Sequence, residues 1–452
     1  MKAQSTGQKP QKVGMISLGC SKNLVDSEVM LGLLQQEGHE FTKSAEDADI
    51  MVINTCAFIE DSKKESVDTI LEIADLKAKG KLKKLIVTGC LAQRYKADLE
   101  KEIPEIDHLI GTGEFQHIAE FARGKNQLPM AKSLVGKPDY VYDYATPRIS
   151  TLPKHTAYVK IAEGCSRTCS FCIIPKLRGP GRSRGISSIV KECQNLVKQG
   201  AKEVHLIAQD LTAYGLDRDD GADLEKLLRE LDAIEGLDWI RLMYNYPMYF
   251  TDSLVKLIAD SKKICHYLDM PLQHIDSGLL ASMRRKVDEK ETKQLLQKLQ
   301  SEIPDLTLRT TLIVGFPGET EEMFDKLYDF VEQTQFDRLG VFTYSQEEGT
   351  GAAMMKNQIP QKVKERRKDA IMKLQQKISI EKNKSLVGKN LRVLVDREVV
   401  QTGKSVFLAR TQGQALDIDG NVFITGKNVP VGEFVDVTIT KSTEYDLYAD
   451  IA

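Results

Sequence analysis

The segment Gly164-Cys165-Ser-Arg-Thr-Cys169-Ser-Phe-Cys172 packs three soft metal ligands into one short stretch. The spacing C-x3-C-x2-C lets three thiolates of one loop wrap three corners of an iron–sulfur cubane and leaves one iron without a protein ligand. A four-cysteine electron-transfer cluster or a zinc knuckle would need a fourth ligand close by. Cys193 lies too far into the following predicted helix to supply it. Phe171, inside the run, is placed to shield a cluster from water, and solvent exposure tunes cluster potential.

Three further cysteines, Cys20, Cys56 and Cys90, share no short motif but share a context. Each follows an apolar strand pattern: Val13–Leu18, Ile50–Asn54 and Leu85–Thr88. Successive strand ends of a parallel sheet lie along one edge, where ligands bind, so the three thiols are expected to converge there. Three thiolates with no fourth protein ligand suit a [4Fe–4S] cluster with one open iron; zinc is the competing reading, although a structural zinc site wants four ligands. The remaining two of the eight cysteines, Cys193 and Cys265, read as plain buried core residues.

The elements that must position these thiols alternate strand and helix. Helical spacing in Ser27–Glu37 and Ser62–Ala74 separates the first three strands and predicts a parallel sheet covered by helices. A second α/β array has strands predicted at Ala157–Ala162, Glu203–Ala208, Trp239–Met243, His266–Met270, Thr307–Val314 and Arg338–Phe342, a partial or complete (β/α) barrel. Val363–Leu386 reads as a long charged spacer helix. Short β-runs with Asp-Gly and Thr-Gly turns follow, a small all-β, OB-like barrel. The expected fold class is α/β: a doubly wound parallel domain at 12–125, a linker at 126–155 with one stray strand, a partial (β/α) barrel with its trailing helix at 156–386, and the β-barrel at 387–452.

Bulk properties agree with a soluble multidomain enzyme. The 452 residues carry a formal charge of −2, with 41% hydrophobic and 28% charged residues. Such a chain has no overall electrostatic pull toward nucleic acid. No apolar run reaches membrane-span length, and the polar stretch from Met1 to Lys12, read as a frayed tail, has no signal-peptide core. The expected location is the cytoplasm.

The Cys165–Cys172 run after a strand and ahead of a βα array resembles the radical S-adenosylmethionine family, whose open iron chelates the amino and carboxylate groups of S-adenosylmethionine before one electron cleaves the sulfonium to a 5′-deoxyadenosyl radical. Thr311-Leu-Ile-Val-Gly315-Phe-Pro-Gly318-Glu319 is similar to that family's glycine-rich strand and turn, with Thr311 in place of its first glycine. The resemblance implies cofactor contacts from Gly315 and Gly318, from Gln209 and Asp210 on the methionyl amine, from Arg309 on the methionyl carboxylate, and from His274 on ribose or substrate. His274 reads equally as a satisfied loop histidine. The basic loop Lys176–Arg184 either holds an anionic substrate group or balances cluster charge.

With the first trio ahead of it and a TRAM-like module behind, the whole chain resembles the methylthiotransferase family. Ile16-Ser-Leu-Gly-Cys20-Ser-Lys-Asn-Leu-Val-Asp-Ser-Glu28 and Asn54-Thr-Cys56-Ala-Phe-Ile-Glu60 look like its branch that modifies an aspartate β-carbon of a small-subunit ribosomal protein. The module departs from the family at Ala415-Leu-Asp-Ile-Asp-Gly420, which lacks a proline. The resemblance implies two [4Fe–4S] clusters, no catalytic residues beyond the cluster ligands, one S-adenosylmethionine as methyl donor and another as radical source, and a low-potential electron donor of flavodoxin or ferredoxin type. Methylthiolation of an adenosine in transfer RNA, an RNA- or ribosome-binding module with a structural metal, and a sulfur-inserting enzyme with a sacrificial cluster are the alternatives. Charge argues against transfer RNA. Residues 387–452 hold seven Lys or Arg against nine Asp or Glu, with Asp417 and Asp419 on one loop. An acidic domain attracts a basic ribosomal protein and repels phosphate.

Overall fold

A computed structural model describes residues 10–123, 132–401, 404–426 and 428–452. Most of the N-terminal polar run, the start of the linker and the Thr402-Gly403 turn lie outside the described residues. The chain forms two compact units. One comprises residues 1–151, 160–167 and 172–189; the other comprises 152–159, 168–171 and 190–452. Residues 160–167 and 172–189, expected within the barrel domain, therefore pack with the first unit.

The first unit is built on a six-stranded parallel sheet in the order Glu40–Thr42, Lys12–Ser17, Ile50–Thr55, Lys84–Gly89, His108–Ile110, Ser133–Leu134. Ile50–Thr55 is buried at every residue, as a central parallel strand with both faces covered must be. The stray linker strand is Ser133–Leu134, which extends this sheet. The first helix, Ser21–Gln36, starts six residues before the apolar periodicity, because its opening turns bury polar side chains: Lys22, Asn23, Asp26, Ser27 and Glu28. Glu28 accepts from Arg148 and from the Thr151 amide and hydroxyl. Gly32 lets the chain at Pro147 cross the helix, where a Cβ would stand 2.5 Å from the Pro147 carbonyl.

The second unit holds a six-stranded open sheet whose strands follow chain order: Thr156–Lys160, which enters it through Val159, then Glu203–Ile207, Trp239–Leu242, Ile264–Asp269, Thr307–Val314 and Arg338–Thr343. It is thus a partial barrel. Its helices are well capped. Asp223, Thr251, Asp276, Asp288 and Thr320 each accept a backbone N–H of the helix they open, a contact worth about 1 kcal/mol. The helix Gln361–Lys384 is not a free spacer. It buries Ile371, Leu374 and Ile378, and Gln375 donates to the Phe336 carbonyl.

The C-terminal strands close into a five-stranded barrel, Asn390–Gln401, Lys404–Arg410, Val422–Thr425, Leu447–Ile451 and Phe434–Ser442 in spatial order. Val393, Val395, Ala409, Val422, Ile424 and Val437 fill its core. Its loop 411–420 turns inward. Asp419 accepts from the Tyr267 hydroxyl at 2.8 Å, and Arg241 donates to the Gln412 carbonyl. Asp417 and Asp419 share this loop as expected, but only Asp417 is exposed; the Asp419 side chain is 3% exposed and internally paired.

Candidate functional site

Sheet register brings the first three cysteines to one edge. Ser17 pairs with Asn54, and Asn54 with Thr88, in a row across three adjacent strands. Cys56 and Cys90 stand two residues beyond this row and Cys20 three beyond it. The extra residue is taken up by the turn at Gly19, whose φ is +88°. A Cβ on Gly19 would lie 2.7 Å from the Cys56 Cβ and 3.0 Å from its Sγ. Cys20 is exposed at the N-cap of Ser21–Gln36, and Cys90 begins the helix Cys90–Arg94, so both lie where helix dipoles favour negative charge.

The surrounding polar groups hold these strand ends rigid. Asn23 donates to the carbonyls of Leu18 and Thr55, each at 2.9 Å. Asn54 donates to the Asn23 carbonyl and the Ser27 hydroxyl, and Ser66 bonds both the amide and the carbonyl of Cys56. Burial pushes the Cys56 thiol up, and the Cys90 thiol up to about 12. Ligation there must therefore displace a firmly held proton. Among the described residues no group of three or more His, Cys, Asp or Glu is drawn in as a single ion's shell. A cubane, whose thiolates stand further apart, does not need one. Three thiols at one sheet edge are the donor set that a cluster bound through three corners would use.

Cys165 and Cys172 belong to the first unit and Cys169 to the second; all three are partly exposed. In the first unit the Cys165 amide donates to the Gly179 carbonyl at 3.0 Å. A Cβ on Gly164, whose φ is +78°, would lie 2.1 Å from the Pro180 carbonyl oxygen. In the second unit the Ser170 amide donates to the Met283 carbonyl, Arg285 reaches to 4.0 Å from the Cys169 sulfur, and Phe171 packs on Leu279, Met283, Phe316 and Tyr344.

Sequence reasoning missed a buried ion cluster in the first unit. Arg178 donates to both oxygens of Glu163 at 3.0 Å, to Asp26 at 3.0 Å and to Asn23. Lys160 donates to Asp26 and Glu163. The signal was present in three charged residues flanking the second cysteine run (Lys160, Glu163, Arg178), but only the fold shows that their partners are Asn23 and Asp26. Burial alone would raise the Glu163 carboxyl; Arg178 and Lys160 outweigh it and hold it well below the usual carboxylate range. The loop Lys176–Arg184 thus spends its arginines on protein groups: Arg182 donates to the Pro180 and Arg178 carbonyls, and Arg184 donates to the Lys160 carbonyl and lies over the Tyr142 ring.

The other expected cofactor contacts divide. Gln209 and Asp210 follow the strand Glu203–Ile207, and one Asp210 oxygen accepts from the Thr212 hydroxyl and the Ala213 amide. Gly318 is open, with φ +88°. Gly315 is needed for a different reason than expected, because a Cβ there would lie 2.2 Å from a Lys364 methylene carbon, and its N–H is taken by Glu319. His274 has the contacts of the satisfied loop histidine that was the other reading of it. It is fully buried, its Nδ1 accepts from the Asp276 amide at 3.0 Å, and its Nε2 faces Glu319 at 3.3 Å. Both ring nitrogens are therefore used, and Arg367 completes the set at 2.8 Å from Glu319. Arg309 donates to Asp269 at 2.7 Å and lies 3.7 Å from Asp419, with its side chain 21% exposed. Cys193 and Cys265 are fully buried core residues, as expected.

Residues 12–111 match the uncharacterized protein family UPF0004, 159–331 the radical SAM superfamily and 387–452 the TRAM domain. The chain is 50% identical over 448 residues to the ribosomal protein uS12 methylthiotransferase RimO of Syntrophotalea carbinolica, covering 99% of this chain and 98% of that one. It is 49% identical over 441 residues to the protein of the same name from Geobacter sulfurreducens, covering 98% of each. Among solved structures, the radical S-adenosylmethionine methyltransferase TsrM of Kitasatospora setae, with cobalamin and a [4Fe-4S] cluster bound, superposes with a TM-score of 0.55 at 16% identity, over 74% of this chain and 75% of that one. That likeness is one of fold.

Proposed function

The chain belongs to the RimO family of ribosomal protein uS12 methylthiotransferases, which are radical S-adenosylmethionine enzymes, and from that premise we propose that it places a methylthio group on the β-carbon of an aspartate in uS12, with S-adenosylmethionine as both methyl donor and radical source. The observation that carries this reading is that Cys165 and Cys172 fold into the same compact unit as Cys20, Cys56 and Cys90. Transfer between two centres requires them to be held together.

In this reading Cys20, Cys56 and Cys90 hold one [4Fe–4S] cluster, and Cys165, Cys169 and Cys172 hold a second. When bound, these groups and S-adenosylmethionine supply the one-electron chemistry and the methylthio group. The chain's own residues orient and enclose. Asn23 and Asn54 fix the strand ends that carry the first trio. Phe171 anchors the second loop on an apolar cluster that keeps water away. Gln209, Asp210, Gly315 and Gly318 lie at the carboxyl ends of barrel strands, where an adenosyl ligand would lie.

The acidic C-terminal domain is the docking surface for basic uS12, the electron donor is a flavodoxin or ferredoxin, and the setting is the cytoplasm. Among the described residues no helix is long and apolar enough to cross a membrane. Anaerobic purification with iron and sulfide analysis tests the centres, with about eight irons per chain expected for two clusters. Mass analysis of uS12 from cells with and without the gene tests the reaction. An unchanged uS12 mass would refute the substrate.

A further inference from the structure

We propose that Arg367, on the helix that follows the partial barrel, is a positioning residue for S-adenosylmethionine: through Glu319 it fixes the turn 315–319 that the cofactor meets. This rests on the reading that S-adenosylmethionine lies at the carboxyl ends of the barrel strands.

The turn has little local means of holding its shape. Gly315 and Gly318 stand at φ of +73° and +88°, left-handed positions that suit glycine, the residue with the most backbone freedom to lose. Glu319 closes the turn. Its Oε2 accepts the Gly315 amide, and its Oε1 faces His274 Nε2 at 3.3 Å. One side chain thus joins the end of the strand Thr307–Val314 to the loop after its neighbour Ile264–Asp269. The Glu319 and His274 side chains are fully buried, and a carboxylate so placed needs a cation.

That cation comes from 48 residues further along the chain. Arg367 Nη1 donates to the Glu319 carbonyl at 3.2 Å and to Oε2 at 2.8 Å, and Nη2 donates to Glu321 at 2.7 Å. The Arg367 side chain is 3% exposed. Lys364, one turn earlier on the same helix, passes its stem over Gly315 and donates to the Tyr344 carbonyl at 2.8 Å. The Gly318 amide donates to the Asn357 carbonyl at 2.8 Å.

An ion set used only as structure gains little over apolar packing. This one differs in what it leaves open. A Cβ at Gly318 would meet nothing within 4 Å among the described residues. The turn is therefore gripped by Arg367, Lys364 and Asn357 while space remains beside Gly318 for a ligand. Presetting a ligand loop lowers the ordering cost of binding.

The test uses the full-length protein with its clusters loaded anaerobically, as Arg367→Gln, Arg367→Lys and Asn383→Ala. Asn383 lies near the far end of the same helix and donates to the Thr443 and Glu444 carbonyls, so its loss lowers stability without touching the turn. Equilibrium binding of S-adenosylmethionine, iron content, thermal midpoint, and KM against kcat for 5′-deoxyadenosine formation are read for each. In Arg367→Gln the dissociation constant and KM should rise about tenfold, the worth of one charged hydrogen bond, with full iron and kcat maintained. Arg367→Lys keeps the charge but loses the fork, and should show part of that rise. Asn383→Ala should lower the midpoint and leave the dissociation constant within about twofold of the parent. An unchanged dissociation constant in Arg367→Gln at full iron overturns the inference; should glutamine fail to fold, the lysine variant decides by the same criterion. Equal weakening by Asn383→Ala, or loss of iron from the lysine variant, also overturns it and leaves Arg367 a packing residue. If the parent itself binds no S-adenosylmethionine, the placement of the cofactor fails, and the inference fails with it.

Discussion

Glu203 and Arg410 form a two-point buried ion pair, with Arg410 Nη2 2.6 Å from Glu203 Oε2 and Nη1 3.1 Å from Oε1. Glu203 opens a strand of the partial barrel and Arg410 ends a strand of the C-terminal β-barrel. The same guanidinium takes both oxygens of Asp396, and Arg241 adds a second cation to Glu203. The small barrel is thus locked to the larger one through charge and not through an apolar face alone.

Removing one partner of such a set leaves an uncompensated buried charge, which costs about 3–5 kcal/mol. Glu203→Gln is expected to lower unfolding free energy by that order. Urea denaturation monitored at Trp239, which packs edge-on against Phe434, should report it. A change below about 1 kcal/mol, the worth of an exposed pair, would show that the pair is solvated.

Stability should fall in acid. Burial alone would raise both carboxyls. For Glu203, Arg410 and other neighbours outweigh burial and hold it well below its ordinary 4.5; for Asp396, His155 and Arg410 hold it below 3.8. Depressed carboxyls stabilise fully above their unfolded values, and that contribution is lost as pH falls below them. Thermal midpoints should be flat in this respect above pH 5 and drop below about pH 4.5. Glu203→Gln should flatten the drop.

Arg309→Lys tests whether that residue serves the fold or the cofactor. Lysine loses the planar fork suited to carboxylates, and here the carboxylates are Asp269 and Asp419. The expected outcome is a lower thermal midpoint with S-adenosylmethionine affinity unchanged within about twofold by calorimetry. An affinity loss with an unchanged midpoint would return Arg309 to the cofactor.

Gly19→Ala should damage the first trio selectively. Its φ of +88° is strained for a side chain, and the added carbon would stand 2.7 Å from Cys56. The backbone penalty is about 1–2 kcal/mol. Iron content should fall toward half in the purified protein. Full loading would mean that the turn relaxes freely.

The two trios should be separable. With Cys165, Cys169 and Cys172 replaced by Ala, reductive cleavage of S-adenosylmethionine should be abolished. With Cys20, Cys56 and Cys90 replaced, cleavage to 5′-deoxyadenosine should persist and methylthio transfer should stop. Modification of uS12 by the second variant would remove the role given to the first trio.

The sequence by itself determined what depends on local spacing and period. The C-x3-C-x2-C loop, the three strands ending near cysteines and the six barrel strands were legible because apolar runs and turn residues are read over a few positions. It did not reveal the early start of the Ser21–Gln36 helix, whose buried face is polar, or the short strands Glu40–Thr42 and His108–Ile110. Tertiary structure alone decided which charges meet. Arg309 and His274 stand at positions that suit a ligand, and the fold also brings them carboxylates from distant segments. Arg178 reads as part of a basic loop until Asn23 and Asp26 arrive beside it. A buried charge takes whichever partner the fold delivers, since leaving it unpaired in a low dielectric costs more than any local preference can supply.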